Sequence, residues 1–295
     1  MNTKTFHSYI GGETVIGGER VPVENPATEQ PCGSFTAYTP EMLDRALEQA
    51  RDAFAVWSRT PMQERVAWMT RLAEALEQRR DEVIALLVAE TGKPQDNAEY
   101  DYGMLIECLG FFGEEVQRLR GETIPDRTGE YLHKLVRHPV GVVVGFLAWN
   151  FPLLNLGYKL GPILASGCSC VIKPSRTTPL ATALVGEIMG SIDFPSGVVN
   201  IALGEDREIV SRLLISPIPA MVTMIGSTEA GCEVIRTSAT TIKRYSLELG
   251  GNAPVIVYPD FDAELAADRI VGLKLVNSGQ VCVSPNRCFV HERSL

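Results

Sequence analysis

Residues 142–173 read VVVGFLAWNFPLLNLGYKLGPILASGCSCVIK, and their pattern decides the fold class. The run Val142–Leu147 is apolar without alternation, as in a strand covered on both faces. Pro152 stands where a helix can start, since a first-turn N–H has no partner to lose, so a helix is expected near 152–166. A second apolar strand, Cys168–Ile172, follows it. Strand, helix and strand in one short stretch form a βαβ unit with its two strands parallel.

Downstream the alternation continues. Val198–Ala202, Met221–Ile225 and Ile242–Leu247 read as strands, and helical stretches lie near 179–190, 206–213 and 228–238. Continuous apolar strands alternating with helices predict an α/β fold, a Rossmann-like doubly wound parallel sheet. Ligands bind such a sheet at the carboxyl ends of its strands. A further unit follows, with a strand at Val255–Tyr258, a helix from Asp262 to about Asn277, a loop over Ser278–Pro285 and a strand at Arg287–His291.

Upstream, residues to about Ser34 are rich in Gly, Pro and Val and read as strands and turns. Thr39 caps a helix with Pro40 at its first position, and Leu43, Ala46, Leu47, Ala50, Phe54 and Trp57 carry its apolar face. Thr60-Pro61 with Gln63 reads as a capping box opening a second helix, with Leu72, Ala73 and Leu76 facing inward. A third helix stops at Gly92, and a fourth covers about Ala98 to Arg118. Tyr131–Val136 reads as a strand and His138–Gly141 as a turn. These N-terminal helices read as scaffold.

Composition narrows the function classes. The chain has 295 residues, 45% hydrophobic and 21% charged, the profile of a globular protein. Its net charge of −9 and scattered basic residues predict no nucleic-acid partner. No apolar run approaches the ~20 residues that cross a bilayer, so no membrane partner is expected. Met1–Ile10 lacks the pattern of a secretory signal. Seven cysteines without a CxxC pair point away from a disulfide scaffold or zinc site and towards a reducing, cytoplasmic setting. Cys168 and Cys170, two apart on one strand face, read as core thiols rather than ligands. The four histidines are far apart, so no metal is expected.

Four segments stand at strand ends, where a site belongs: Leu147–Pro152, Ile172–Arg176, Gly226–Gly231, and Glu248–Gly251 together with Gly279–Cys282. Gly226-Ser227-Thr228-Glu229-Ala230-Gly231 can be a phosphate cradle, its glycine and free helix N–H groups facing an anion, or a simple turn and cap. Cys282 lies in a Ser/Gly/Gln-rich loop, outside any apolar run, and reads as a nucleophile rather than a structural thiol. Cys288, inside the next strand, suits the structural role. Glu248 ends a strand before two glycines, where it can serve as a base or stay solvated.

Asn25-Pro26-Ala27-Thr28, Glu90-Thr91-Gly92-Lys93-Pro94, Trp149-Asn150-Phe151-Pro152, Lys173-Pro174-Ser175, Gly226-Ser227-Thr228, Glu248-Leu249-Gly250-Gly251 and Asn277-Ser278-Gly279-Gln280-Val281-Cys282 occur in one order along the chain. Together they resemble the aldehyde dehydrogenase superfamily, with the semialdehyde-oxidising branch closest in flavour. The resemblance implies a dinucleotide-binding domain with its helical lead-in over 1–252. It implies the opening part of a second α/β catalytic domain over 253–295, truncated before the Glu-Ile-Phe-Gly-Pro motif and the strands through which full-length relatives pair as homo-oligomers. It also implies NAD(P)-dependent oxidation of a small-molecule aldehyde to an acid.

On this resemblance Cys282 attacks the aldehyde, Asn150 holds the oxyanion with the Cys282 N–H, and Glu248 activates the water that hydrolyses a thioester. Leu147, Ala148, Trp149, Lys173, Ser175, Arg176, Gly204, Gly226, Ser227 and Leu249 bind the cofactor. Trp149 lines the nicotinamide passage, Lys173 and Ser175 the adenosine ribose, and Gly226 and Ser227 the pyrophosphate. Many NAD-using relatives have Glu where Arg176 stands, and an arginine can pair with a 2′-phosphate, so the reading leans to NADP. Two alternatives stay open: a catalytically incomplete fragment that binds a dinucleotide or a partner, and acyl transfer to coenzyme A or reduction of an acyl phosphate.

Overall fold

The computed structural model describes residues 4–204 and 207–294. Five short strands open the chain: β1 Thr5–Phe6, β2 Ser8–Ile10, β3 Glu13–Val15, β4 Arg20–Asn25 and β5 Gln30–Thr36. Helices α1 Pro40–Trp57, α2 Met62–Gln78, α3 Arg80–Thr91 and α4 Gln95–Glu115 follow, then a hairpin of β6 Glu122–Pro125 and β7 Leu132–Leu135. Next come β8 Val142–Phe146, α5 Pro152–Ser166, β9 Ser169–Lys173, α6 Leu180–Ser191 and β10 Val199–Ile201. The alternation closes with α7 Arg207–Ile215, β11 Pro219–Gly226, α8 Thr228–Ser238 and β12 Arg244–Leu249. The last unit is β13 Pro254–Val257, α9 Ala263–Leu275 and β14 Arg287–Val290. The start expected for α7 at 206 lies outside the described residues.

The main sheet has the order β12-β11-β8-β9-β10-β2-β3. Its first five strands are parallel, as the alternation predicted. The lead-in adds two more: β2 pairs antiparallel with β10 and β3 antiparallel with β2, so the sheet is mixed at one edge. Three-residue strands hold too little periodicity to reveal such a long-range pairing. The rest of the lead-in, β1, β5 and β4, forms its own sheet.

Around β8, β9 and β10 both sheet faces are covered, which is why these strands read as unbroken apolar runs. Val143, Cys170, Ile172, Val199 and Ile201 face one core, shared with residues of α2 to α6. Val142, Val144, Val171 and Ala202 face the other, against Leu43, Ala46, Leu47 and Ala50 of α1 and Leu213 of α7. Cys168 and Cys170 are buried in the first core, as expected of structural thiols.

Helix boundaries follow local chemistry. The Thr39 hydroxyl accepts from the Met42 N–H, and Gly92 ends α3 with a left-handed φ of 68°. The expected capping box at Thr60 does not form. Pro61 precedes α2 without a side-chain bond, and the Thr60 hydroxyl instead donates to the Val56 carbonyl of the previous helix. At the far end β13 and β14 pair in parallel on a sheet of their own, leaving Ile256, Val271, Leu273 and Phe289 exposed.

Candidate active site

Strand register gathers the predicted segments at one edge. Phe146 lies beside Lys173 and Met224, Ile225 beside Glu248, and Gly226 beside Leu249. The carboxyl ends of β8, β9, β11 and β12 therefore lie side by side. Beyond β8 the chain stays pinned: the Leu147 N–H donates to the Lys173 carbonyl at 3.0 Å. Asn155 Nδ2 donates to the Ala148 carbonyl, and the Thr178 hydroxyl to that of Trp149. The Trp149 ring remains half exposed.

Asn150 is held from three sides. Its side-chain Nδ2 donates to the Gln280 carbonyl at 2.9 Å, its Oδ1 accepts from Asn155 at 3.4 Å, and its backbone carbonyl accepts from Lys93 Nζ at 2.8 Å and Asn277 Nδ2 at 3.0 Å. Lys93 is itself ion-paired with Asp101 at 2.7 Å, with 2% and 0% of the two side chains exposed. The other oxygen of Asp101 accepts from the Leu153 and Leu154 N–H groups at the start of α5. Burial pushes the Lys93 ammonium down and the Asp101 carboxyl up, each opposed by the attraction of the other. One of the two Nδ2 hydrogens of Asn150 is thus taken by the Gln280 carbonyl, and the second remains for a reacting oxygen.

The cysteine loop is anchored to the same frame. Asn277, Ser278 and Gly279 all take left-handed φ, at 48°, 57° and 78°. For the two non-glycine residues that conformation costs free energy and needs outside support. Asn97 of α4 gives it, accepting from the Asn277 N–H at 2.8 Å. The expected helix end at Asn277 thus falls two residues early, at Leu275, and Asn277 becomes a loop anchor. Cys282 follows, exposed to solvent.

Glu248, next to last in β12, is half exposed and is paired at 2.8 Å with Lys159 Nζ of α5, whose side chain is only 5% exposed. Tyr158, the neighbouring residue, has its phenol pushed up by burial and by nearby negative groups, among them Glu248 and Cys282.

On the cofactor side, Ser227 caps α8, accepting from the Ala230 N–H at 3.1 Å. The turn-and-cap reading of this segment therefore holds, while its hydroxyl hydrogen stays available to an anion. Leu249 packs over the same turn: a methyl group on Gly231 would come within 2.9 Å of its side chain. Gly204 is buried against Tyr38, where a Cβ would approach the ring to 2.3 Å. Ser175 bonds to Thr177 at 3.0 Å, Lys173 is half-buried and Arg176 is exposed. Among the described residues no cluster of His, Cys, Asp or Glu could hold a metal ion, and no helix is long and apolar enough to cross a membrane.

A family model described as the aldehyde dehydrogenase family matches residues 15–295. The chain belongs to the aldehyde dehydrogenase family. It is 37% identical over 287 residues to a lactaldehyde dehydrogenase of Escherichia coli, covering 96% of this chain and 60% of that one. It is 35% identical over 287 residues to a mitochondrial succinate-semialdehyde dehydrogenase of Oryza sativa, covering 96% and 54%. A solved lactaldehyde dehydrogenase superposes with a TM-score of 0.95 at 34% identity, covering 99% of this chain and 61% of the other. The chain thus spans a little over half the length of these relatives.

In this aldehyde dehydrogenase chain, several site residues escaped the sequence reading. Lys93 lay inside a quoted motif without a role, and Asp101 and Asn97 looked like ordinary polar positions of α4. Lys159 carried a usable signal, the single charged residue in the mostly apolar Leu153–Leu164 stretch. Glu90 is fully buried, and its carboxyl oxygens accept from the Leu180 and Ala181 N–H groups at 2.6 and 3.0 Å, capping α6 from a distant helix. Burial pushes its pKa up to about 8.

Proposed function

We propose that this chain carries the NAD(P)-dependent oxidation of an aldehyde to a carboxylic acid through a thioester at Cys282. The observation that carries the reading is the juxtaposition at one sheet edge: Lys159 holds Glu248, while Asn150 and the cysteine loop share the Lys93–Asn277 frame.

A dinucleotide suits this edge. Four parallel strands end there together, and α8 presents its N-terminus beside Gly226, where a Cβ would run into the Met224 side chain at 2.5 Å. In the proposed site Gly226 and Ser227 meet the pyrophosphate, Lys173 and Ser175 the ribose, and Trp149 the nicotinamide passage, with Leu147, Ala148, Leu249 and Gly204 shaping the walls. The cofactor supplies a hydride acceptor. Arg176 favours a 2′-phosphate and hence NADP.

The chain's own residues do the rest. The Cys282 thiolate attacks the carbonyl carbon, and the oxygen gains negative charge. The free Nδ2 hydrogen of Asn150 and the Cys282 N–H donate to that oxygen; a donor of this kind is worth about 3 kcal/mol. Departure of hydride from the carbon leaves a thioester. Glu248, oriented by Lys159, takes a proton from the water that attacks it, and the thiolate leaves with the acid formed.

Aldehyde-dependent reduction of NADP, lost in Cys282→Ala, is the expected result. An Arg176→Glu variant should shift the preference towards NAD. A second reading has its own support in the exposed apolar face of β13, α9 and β14: cofactor binding without turnover. Quenching of tryptophan fluorescence by NADP with no aldehyde-dependent reduction would decide for it.

A further inference from the structure

Helix α4 reaches the cysteine loop through one side chain. Asn97 stands half-buried in its first turn, and its Oδ1 accepts from the Asn277 N–H at 2.8 Å. Among the described residues, two from elsewhere in the fold bond to segment 277–284, Asn97 and Asn150. They are not equivalent anchors. Each Asn150 bond works through a side-chain amide, from Asn277 Nδ2 to the Asn150 carbonyl and from Asn150 Nδ2 to the Gln280 carbonyl. Asn97 grips the backbone of the bend itself, from a helix fixed by the buried Ala98, Asp101, Tyr102 and Leu105.

The bend needs that grip. Asn277 and Ser278 hold left-handed φ, at 48° and 57°, which costs a non-glycine residue free energy. Asn277 Oδ1 is buried with no hydrogen-bond partner among the described residues, a further cost of the arrangement. The bond to the Asn277 N–H offsets these costs, and its loss lets the bend relax. What the bend aims is the Gln280 carbonyl, which takes one Nδ2 hydrogen of Asn150, and, two residues on, the Cys282 N–H. Both donors assigned to the oxyanion hang from this one turn. The thiol itself is exposed and does not need the turn for its access.

We propose that Asn97 is a positioning residue: through the Asn277 bend it aligns the Asn150 and Cys282 donors on the reacting oxygen, without touching substrate or cofactor. The inference rests on the reading of Cys282 as the nucleophile. It predicts a split between two reactions of the same sulfur. Displacement of iodide from iodoacetamide by the thiolate passes through no oxyanion. Attack on the carbonyl carbon of p-nitrophenyl acetate does. There the oxygen becomes anionic, then re-forms its double bond as p-nitrophenolate leaves and the acetyl group stays on sulfur. Misaligned donors slow the second reaction and spare the first.

Neither reaction needs a cofactor. Alkylation of Cys282 is followed by peptide mass spectrometry, with exposed Cys232 as the reference. Acylation is followed as p-nitrophenolate release, less that of the matching Cys282→Ala chain. Asn97→Ala removes the acceptor and inserts a strong helix former, so α4 keeps its first turn. Asn97→Asp keeps an acceptor at the same reach and suits a helix N-terminus. Asn97→Ala should slow acylation about tenfold or more while alkylation changes by less than about threefold. Asn97→Asp should restore acylation to within about threefold of the natural chain. Unchanged acylation in Asn97→Ala, a parallel fall of both reactions, or an Asn97→Asp chain as slow as Asn97→Ala overturns the positioning role and leaves Cys282 as the nucleophile. If the natural chain releases p-nitrophenolate no faster than Cys282→Ala, the nucleophile reading falls and the positioning role falls with it.

Discussion

Replacing Lys93 by methionine should destabilise the chain far more than the loss of any exposed ion pair. The methionine keeps most of the side-chain volume and removes only the ammonium. That ammonium sits 2.7 Å from Asp101 and 2.8 Å from the Asn150 carbonyl, with 2% of the Lys93 side chain and none of Asp101 exposed. It also lies 4.3 Å above the Phe151 ring. Removing one partner of a buried pair costs about 3–5 kcal/mol, because the survivor is left charged or must take up a proton. Asp101 keeps two backbone donors, Leu153 at 3.1 Å and Leu154 at 2.7 Å, and the Asn150 carbonyl keeps Asn277. Those contacts place the loss near the lower limit, about 3 kcal/mol. At about 2–4 °C per kcal/mol for a chain of this order, the thermal midpoint should fall by about 6–12 °C. Urea unfolding followed by tryptophan fluorescence reads the same loss as a lowered midpoint at unchanged slope. Arg212→Ala, which breaks the exposed bond to Asp44, serves as the control and should move the midpoint little. A Lys93→Met midpoint no lower than that of Arg212→Ala would refute the idea that this pair holds the frame of the site.

Glu90 gives a pH signature. Its carboxyl is pushed up to about 8 from an ordinary 4.5, so between those values the folded chain holds a proton the unfolded chain has lost. Stability from this group is therefore complete below about pH 4.5, falls as pH rises, and levels off above about 8. Midpoints measured across that range should decline more steeply in the natural chain than in Glu90→Gln, and parallel curves would contradict the assignment. Ser227 separates capping from ligand binding. Ser227→Ala should cost about 1 kcal/mol through the lost cap. Ser227→Asp should keep the cap and the midpoint but abolish dinucleotide binding by placing a carboxylate where phosphate belongs; retained binding in a calorimetric titration would remove Ser227 from the cofactor site.

The parallel sheet was legible because β8, β9 and β11 are apolar on both faces, and a buried strand writes that directly into its composition. Proline at the start of α5 and glycine at the end of α3 are likewise local signals, and those boundaries fell where expected. The edge strands β2 and β3 were hidden, since pairing Tyr9 with Ile201 depends on contacts almost two hundred positions apart in the chain. The site divides in the same way. Cys282, Glu248 and Asn150 stand out as reactive types in loops or at strand ends. Lys93, Asp101 and Asn97 do not, because their meaning lies in what they hold: a carbonyl, a helix N-terminus and a left-handed loop. Thr60 marks the limit of local rules. Its spacing to Gln63 suits a capping box, yet the hydroxyl turned back to the preceding helix.

The most direct measurement is mass spectrometry of the Glu248→Gln chain after exposure to hexanal and NADP. With the water-activating carboxylate removed, the peptide containing Cys282 should carry the acyl mass, and Cys232 and Cys288 should remain unmodified. An unmodified Cys282 peptide, or acyl mass shared evenly among the exposed cysteines, would contradict the account.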